Sequence, residues 1–245
     1  MKALLRLLAL ALLAGLALQL YFAGRIALMR VVNPESTAFE RSEVYRVAKN
    51  TGALRWRQQW VPYASVSDHL KRAIIASEDA SFIDHDGVDM QALEKAWEKN
   101  AKSEERAAQA SAGSERAPGV KPVKIVGGST ITQQLAKNLF LSGERNLLRK
   151  GQELLLTLML EALLSKQRIL EIYLNSVEWG EGVFGAEAAA RHYYRKPASQ
   201  LSAYEAARLA VMLPRPKYFE NRGNSAYLAS RARIITARMS GVELP

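Results

Sequence analysis

The residues most able to do chemistry fall in short, separate clusters. Glu78 stands in Glu78-Asp79-Ala80-Ser81-Phe82-Ile83-Asp84-His85-Asp86-Gly87, at the close of an apolar helical run. A carboxylate there meets the negative end of the helix macrodipole and a dry wall, and both raise its pKa. Such a group suits a general base near neutral pH. A solvated glutamate that merely ends a helix has the same local sequence, and composition alone favours that blander reading.

The next cluster is Gly127-Gly128-Ser129-Thr130-Ile131-Thr132-Gln133-Gln134-Leu135-Ala136-Lys137-Asn138. Glycines and hydroxyls precede a helix start, where free backbone N–H groups bind anionic oxygens. Thr130, Gln134 and Lys137 share one stripe of that helix; Ile131, Leu135 and Leu139 share another. The helix therefore offers amides and a cation to a cleft, or is a capped surface helix with a polar face. In a further cluster, Arg149 and Lys150 lie one turn before Glu153, so the side chains converge. A surface salt bridge has that spacing. So does a site where paired cations keep a carboxylate ionised and share charge with a phosphate.

Other patterns carry less. Asp84, His85, Asp86 and Asp89 miss the calcium-loop spacing, and no dedicated metal site is expected. Gly180-Glu-Gly182-Val-Phe-Gly185 matches the dinucleotide fingerprint, with Glu205 at a suitable distance. It follows a helical segment rather than a strand, and Glu205 belongs to a capping box, so the match is spurious. Its glycines are expected to let the backbone turn tightly beneath the cleft.

The elements that must position these groups are mainly helical. Ser67 or Asp68 caps a run that buries Leu70, Ala73, Ile74 and Ser77 on one face. Thr130 to Gln133 is a capping box, opening a helix to about Leu141. Arg149 to Leu164 is strongly apolar and expected to be central. Gln167 to Asn175 is another helix. A capping box at Ser202 to Glu205 opens one that runs to Leu213, where Pro214 and Pro216 stop it. Residues 31–65, with Trp56, Trp60 and Pro62, read as a juxtamembrane connection and short entry element. The stretch 99–119 is rich in Ala, Ser, Glu, Lys and Arg, and is predicted to be a mobile loop or frayed helix extension.

The chain has 245 residues, a net charge of +10, 49% hydrophobic residues and no cysteine. That allows one medium domain and excludes disulfides and Cys-based metal sites. A basic surface attracts nucleic acid or anionic lipid. The N-terminus favours lipid: from Leu7 to Gly24 no residue is charged, and Lys2, Arg6, Arg25 and Arg30 flank the run. As a helix it spans roughly 27 Å, close to the bilayer hydrocarbon. Tyr21 and Phe22 near its end suit an uncleaved anchor better than a signal peptide, which ends in a small-x-small site.

Taken together, the chain resembles the peptidoglycan glycosyltransferases, the family that includes the N-terminal domains of bifunctional penicillin-binding proteins. The matching blocks, in order, are Glu78-Asp-x-x-Phe82-x-x-His85-x-Gly87; the run from Gly127 to Asn138; Arg149-Lys-x-x-Glu153; Ile169-Leu-Glu-x-Tyr-Leu-Asn175 leading to Gly180-x-Gly-x-x-Gly185; and Glu205-x-Ala-x-Leu-Ala-x-x-Leu-Pro-x-Pro216. They cover roughly residues 60–220. The stretch 99–119 is longer than the loop the family pattern leads one to expect. There is no Ser-x-x-Lys or Lys-Thr-Gly, so a transpeptidase domain is not expected.

The resemblance implies a lysozyme-like, mainly α fold with a smaller membrane-associated jaw over residues 31–245, preceded by a single-pass anchor over residues 1–30. It implies transfer of a growing glycan strand, held on undecaprenyl pyrophosphate, to the 4-hydroxyl of lipid II, with inversion to a β-1,4 linkage. Glu78 carries over as general base, and Glu153 as the second carboxylate near the departing pyrophosphate. Asp79, Phe82, Ser129, Thr130, Gln133, Gln134, Lys137, Asn138, Arg145, Arg149 and Lys150 carry over as substrate-binding positions. No cofactor is required, although the family admits a divalent cation such as Mg2+ at the pyrophosphate. The expected partners are the lipid substrates, the membrane and cell-wall or division proteins, with no nucleic acid. The expected place is the bacterial cytoplasmic (inner) membrane, with the domain on its outer, periplasmic side. The alternatives are a glycan-cleaving lytic enzyme, or a non-enzymatic scaffold for division or elongation machinery.

Overall fold

A computed structural model describes residues 1–112, 128–141 and 146–245, with the backbone alone over 107–112. In chain order the elements are α1 Lys2–Leu28, α2 Ala38–Thr51, β1 Arg57–Gln58, α3 Asp68–Glu78, α4 Met90–Ala112, α5 Ile131–Phe140, α6 Leu147–Leu163 and α7 Lys166–Ser176. There follow β2 Glu178–Gly180, β3 Val183–Phe184, α8 Ala186–Tyr194, α9 Ala203–Met212, α10 Pro216–Glu220 and α11 Ala226–Arg238. The fold is mainly α, as the patterning predicts.

Local chemistry sets the helix starts. The predicted capping boxes form at Thr130–Gln133 and Ser202–Glu205, and the Ser67 hydroxyl accepts from His69 N–H. A further box, Thr37–Glu40, opens α2 where the sequence suggests only a connection. Its signal is the same, but the helix behind it is polar, with Val44 and Val47 its buried apolar residues. Periodicity therefore passed over it. Helices α8 and α11 also lie beyond the predicted set. From Lys99 the polar stretch continues α4 as helix to Ala112, because Ala, Glu and Lys favour helix without an apolar face. Residues 113–119 lie outside the described residues.

The core gathers Leu70 and Ile74 from α3, Ile131 and Leu135 from α5, Leu156 and Leu160 from α6, and Leu209 from α9. The enclosed helix is α7, which buries Ile169, Leu170 and every residue from Ile172 to Ser176. This corrects the expectation that α6 is central. Helix α6 buries Glu153, Leu156, Thr157 and Leu160, and leaves Leu147, Leu148, Leu154, Leu155 and Leu158 exposed. A helix apolar all round reads as buried from periodicity, whether protein or another apolar medium surrounds it. Helix α1 is long and apolar enough to cross a membrane by length and composition, and its apolar window is not buried in the protein.

Strand β3 pairs antiparallel with β2 and parallel with β1. The Gly180–Gly185 run thus lies in a β2–β3 hairpin. This corrects the helical context expected for it, though the hairpin is still no βαβ unit. Gly185 has φ +82°, and a Cβ there would stand 2.7 Å from the Asn175 carbonyl oxygen. The start of α8 seats against the end of α7 only through that missing side chain.

Glu40 and Glu178 are among the buried acids that make stability depend on pH. Both are pushed up to about 7, chiefly by burial. The folded chain therefore holds protons that the unfolded chain releases from about pH 4.5 upward. Stability is expected to be highest below that range and to fall as pH rises through about 7, by roughly 1–3 kcal/mol per group. The slope of melting temperature against pH checks this: Glu40→Gln should flatten it, and an unchanged slope would remove Glu40 from the account.

Candidate active site

Helix α3 delivers Glu78, its last residue, to a cleft of about 830 Å³. The walls include the 79–89 loop, the start of α4 with Gln91 and Lys95, then Ser129 and Thr130, and Arg238 at the end of α11. Gln134 Nε2 donates to Glu78 Oε2 at 3.1 Å, and Ser77 Oγ donates to Oε1 at 3.4 Å. Tyr173 O–H donates to Gln134 Oε1 at 2.9 Å, which fixes the amide with its NH₂ toward Glu78. Burial holds the Glu78 carboxyl above the usual glutamate range, and the neighbouring Asp79 adds to this, against the two hydrogen bonds. A carboxyl raised and oriented in this way at a cleft wall can take a proton from a hydroxyl.

The loop after Glu78 joins α3 to α4 and is held by hydrogen bonds on both sides. Asp79 is buried, and both its oxygens are engaged: Oδ1 with His85 Nε2 at 2.9 Å, Oδ2 with the Ile131 N–H at 2.9 Å. Gly87 N–H donates to His85 Nδ1 at 3.1 Å, so the ring's proton sits on Nε2, toward Asp79. Gly87 has φ +87°, and a Cβ on it would stand 2.6 Å from Thr157 Cγ2. The loop can therefore lie directly on α6. Lys166 Nζ clamps it from outside, donating to the His85 carbonyl at 2.5 Å and to Glu161 Oε1 at 2.8 Å.

The predicted substrate-binding positions separate accordingly. Glu78, Asp79, Ser129 and Thr130 line the cleft, and Ser129 is exposed there. Thr130 is buried; its hydroxyl donates to the Gly87 carbonyl at 2.6 Å and caps α5. Gln133 closes the capping box, its Oε1 accepting from Thr130 N–H at 3.2 Å. Phe82 is fully buried, with Lys166 Nζ 4.7 Å from its ring centroid. Phe82, Thr130 and Asp79 hold the site together, their polar atoms or rings engaged inside the protein, and Gln133 joins them through its Oε1. Lys137 is exposed and Asn138 half-buried on α5.

On α6, Glu153 is buried at 4% exposure between two cations. Arg149 Nη1 donates to its Oε2 at 3.0 Å, and Lys150 Nζ to its Oε1 at 2.5 Å. This cluster stands outside the lining of the Glu78 cleft. Arg145 lies outside the described residues. Sequence reasoning missed Tyr173, Lys166, Glu161 and Arg238. Tyr173 stands inside a matching block, so its position was signalled but not its role. Lys166 and Glu161 act through contacts distant in sequence, and Arg238 reaches the cleft from the far end of the chain, which spacing cannot show.

Comparison with known proteins places the chain. Residues 46–115 and 117–240 match the family model described as Transglycosylase. The chain is 53% identical over 232 residues to a protein of Burkholderia orbicola (strain MC0-3) named biosynthetic peptidoglycan transglycosylase, covering 95% of this chain and 87% of that one. Proteins of the same name from Burkholderia thailandensis and Paraburkholderia phytofirmans are 55% and 53% identical over 233 residues. Those matches cover 95% of this chain and 84% and 89% of the relatives.

Proposed function

The chain belongs to the transglycosylase family and is a peptidoglycan glycosyltransferase, and from this we propose that it polymerises lipid II by general-base catalysis at Glu78. The acceptor's 4-hydroxyl gives its proton to Glu78 as its oxygen attacks the anomeric carbon of the donor strand. The bond to undecaprenyl pyrophosphate breaks, and the linkage inverts to β-1,4. Lys137, Arg149 and Lys150 face the pyrophosphate as its charge builds, where positioned cations stabilise most. Glu153 holds the two α6 cations in place and is the second carboxylate near the leaving group.

The observation that carries this reading is the Glu78 carboxyl at the cleft wall, held by the Gln134 amide that Tyr173 orients. The protein's own cations supply the positive charge, so no metal is required, and turnover should persist in a chelator. Helix α1 spans the cytoplasmic membrane with the domain on its outer face, and the exposed leucines of α6 form the membrane-associated jaw. The deciding experiment incubates the purified full-length protein with lipid II and, separately, with cell-wall sacculi. Glycan strands from lipid II support the reading; cleaved sacculi with no polymer would point to a lytic enzyme.

The hydrogen bond from Gln134 stabilises the ionised form of Glu78. Removing it in Gln134→Ala should raise the Glu78 pKa further. The base must be ionised, so the acid limb of the rate profile should move to higher pH. Tyr173→Phe should shift it the same way by less, because the amide stays but loses its orientation. A pH–rate profile of each variant checks this. An acid limb that stays in place in Gln134→Ala would detach Gln134 from the base.

A further inference from the structure

Gln19 stands inside the apolar run of α1, and its amide exchanges two hydrogen bonds with Gln152. Its Nε2 donates to Gln152 Oε1 at 2.9 Å, and Gln152 Nε2 donates back to Gln19 Oε1 at 3.1 Å. A primary amide in hydrocarbon without a partner costs several kcal/mol, so two amides that satisfy each other hold together there more firmly than in water. The contact continues along α1. Phe22 meets Phe140 edge-on with centroids 5.2 Å apart, Ile26 is fully buried, and Arg168 Nε donates to the Met29 carbonyl at 2.7 Å. A flexible tether would need none of these contacts.

The order of these contacts sets a direction. Gln19 meets Gln152 on α6, and the later Met29 meets Arg168 in the first turn of α7, just past the end of α6, so α6 runs in the same sense as α1. The amino end of α6 is therefore its deepest part, and there Leu147 and Leu148 are 90% and 87% exposed. Gln152 adjoins Glu153 and follows Arg149 and Lys150 by less than a turn. Whatever fixes Gln152 fixes the level of that charged cluster relative to the anchor.

We propose that the Gln19–Gln152 pair is a positioning clasp. It locks α6 to the membrane anchor, so that Arg149, Lys150 and Glu153 stand at a fixed depth where the pyrophosphate of a membrane-held substrate arrives. The role in turnover rests on the proposed function; the clasp itself does not.

The test uses the full chain in lipid-bilayer nanodiscs and in detergent micelles. The sequence has no cysteine, so Gln19→Cys combined with Gln152→Cys gives a clean pair. Two glutamine lengths separate the backbones, too far for a direct disulfide, so a short bifunctional thiol reagent is used. The pair should cross-link in bilayers, and the locked enzyme should keep its turnover. Gln19→Leu combined with Gln152→Leu, which strands neither amide, should lower kcat/KM for lipid II several-fold in bilayers, with less loss in micelles, where no bilayer sets the depth, and with the melting temperature little changed. Failure to cross-link, a locked enzyme without turnover, or equal losses in bilayers and micelles would each overturn the clasp. If the wild-type protein does not polymerise lipid II, the proposed function fails, while the cross-link still decides whether the clasp exists.

Discussion

Replacing Glu78 by Gln is expected to lower polymerisation about 10²–10⁴-fold, the usual contribution of a positioned general base, while leaving the protein at least as stable at neutral pH. The two halves of that expectation come from one fact. Burial holds the Glu78 carboxyl above its ordinary range, so ionising it in the folded state is harder than in the unfolded chain. Between the ordinary glutamate pKa and the raised one, stability therefore falls as pH rises. The substitution removes that ionisation but keeps the shape, and the new amide oxygen can still accept from Gln134. A residue kept for structure would show the opposite pattern, with loss of stability and rate together. Turnover of Glu78→Gln at saturating lipid II, beside its melting temperature at pH 8, separates the cases. Near wild-type turnover would sink the assignment of Glu78 as base.

The sequence made the framework of the site legible wherever a local rule sets it. Thr130 and Gln133 announce a helix start by spacing alone, and the structure forms that capping box. Arg149, Lys150 and Glu153 converge because helix geometry makes them neighbours, and their ion pairs form. Local rules fail where the deciding contact is long-range. Phe82 shares a block with Glu78 and reads as a site residue, yet its ring packs in the core beneath Lys166. Tyr173 stands in a matching block with no role legible there, yet its hydroxyl orients the amide that holds Glu78. Helix α6 shows the limit of periodicity most directly. A run of leucines says that water is absent around it, and only the fold says which side is protein.

The other large effect is expected at Arg149. Its guanidinium is mostly enclosed, with the side chain 17% exposed, whereas the Lys150 side chain is 51% exposed. Both bind the same buried carboxylate, so removing them should not have equal consequences. Arg149→Ala leaves Glu153 with one partner, itself half in solvent, and should destabilise the fold by about 1–3 kcal/mol. Lys150→Ala leaves the enclosed pair intact and should cost under about 1 kcal/mol. Catalysis is a separate matter. If the α6 cations stabilise the leaving pyrophosphate, Arg149→Ala should also lower the maximal rate about 10²–10³-fold, because charge on the leaving group grows toward the transition state. The double variant Arg149→Ala with Glu153→Gln separates the roles. Neutralising the stranded carboxylate should restore most of the stability and none of the rate. A purely structural ion pair predicts that rate returns with stability. The decisive measurement is turnover of the double variant at saturating lipid II, in fixed detergent and salt, alongside its melting temperature. Recovery of the rate in that variant would reduce Arg149 to a structural partner of Glu153 and leave the pyrophosphate to other cations.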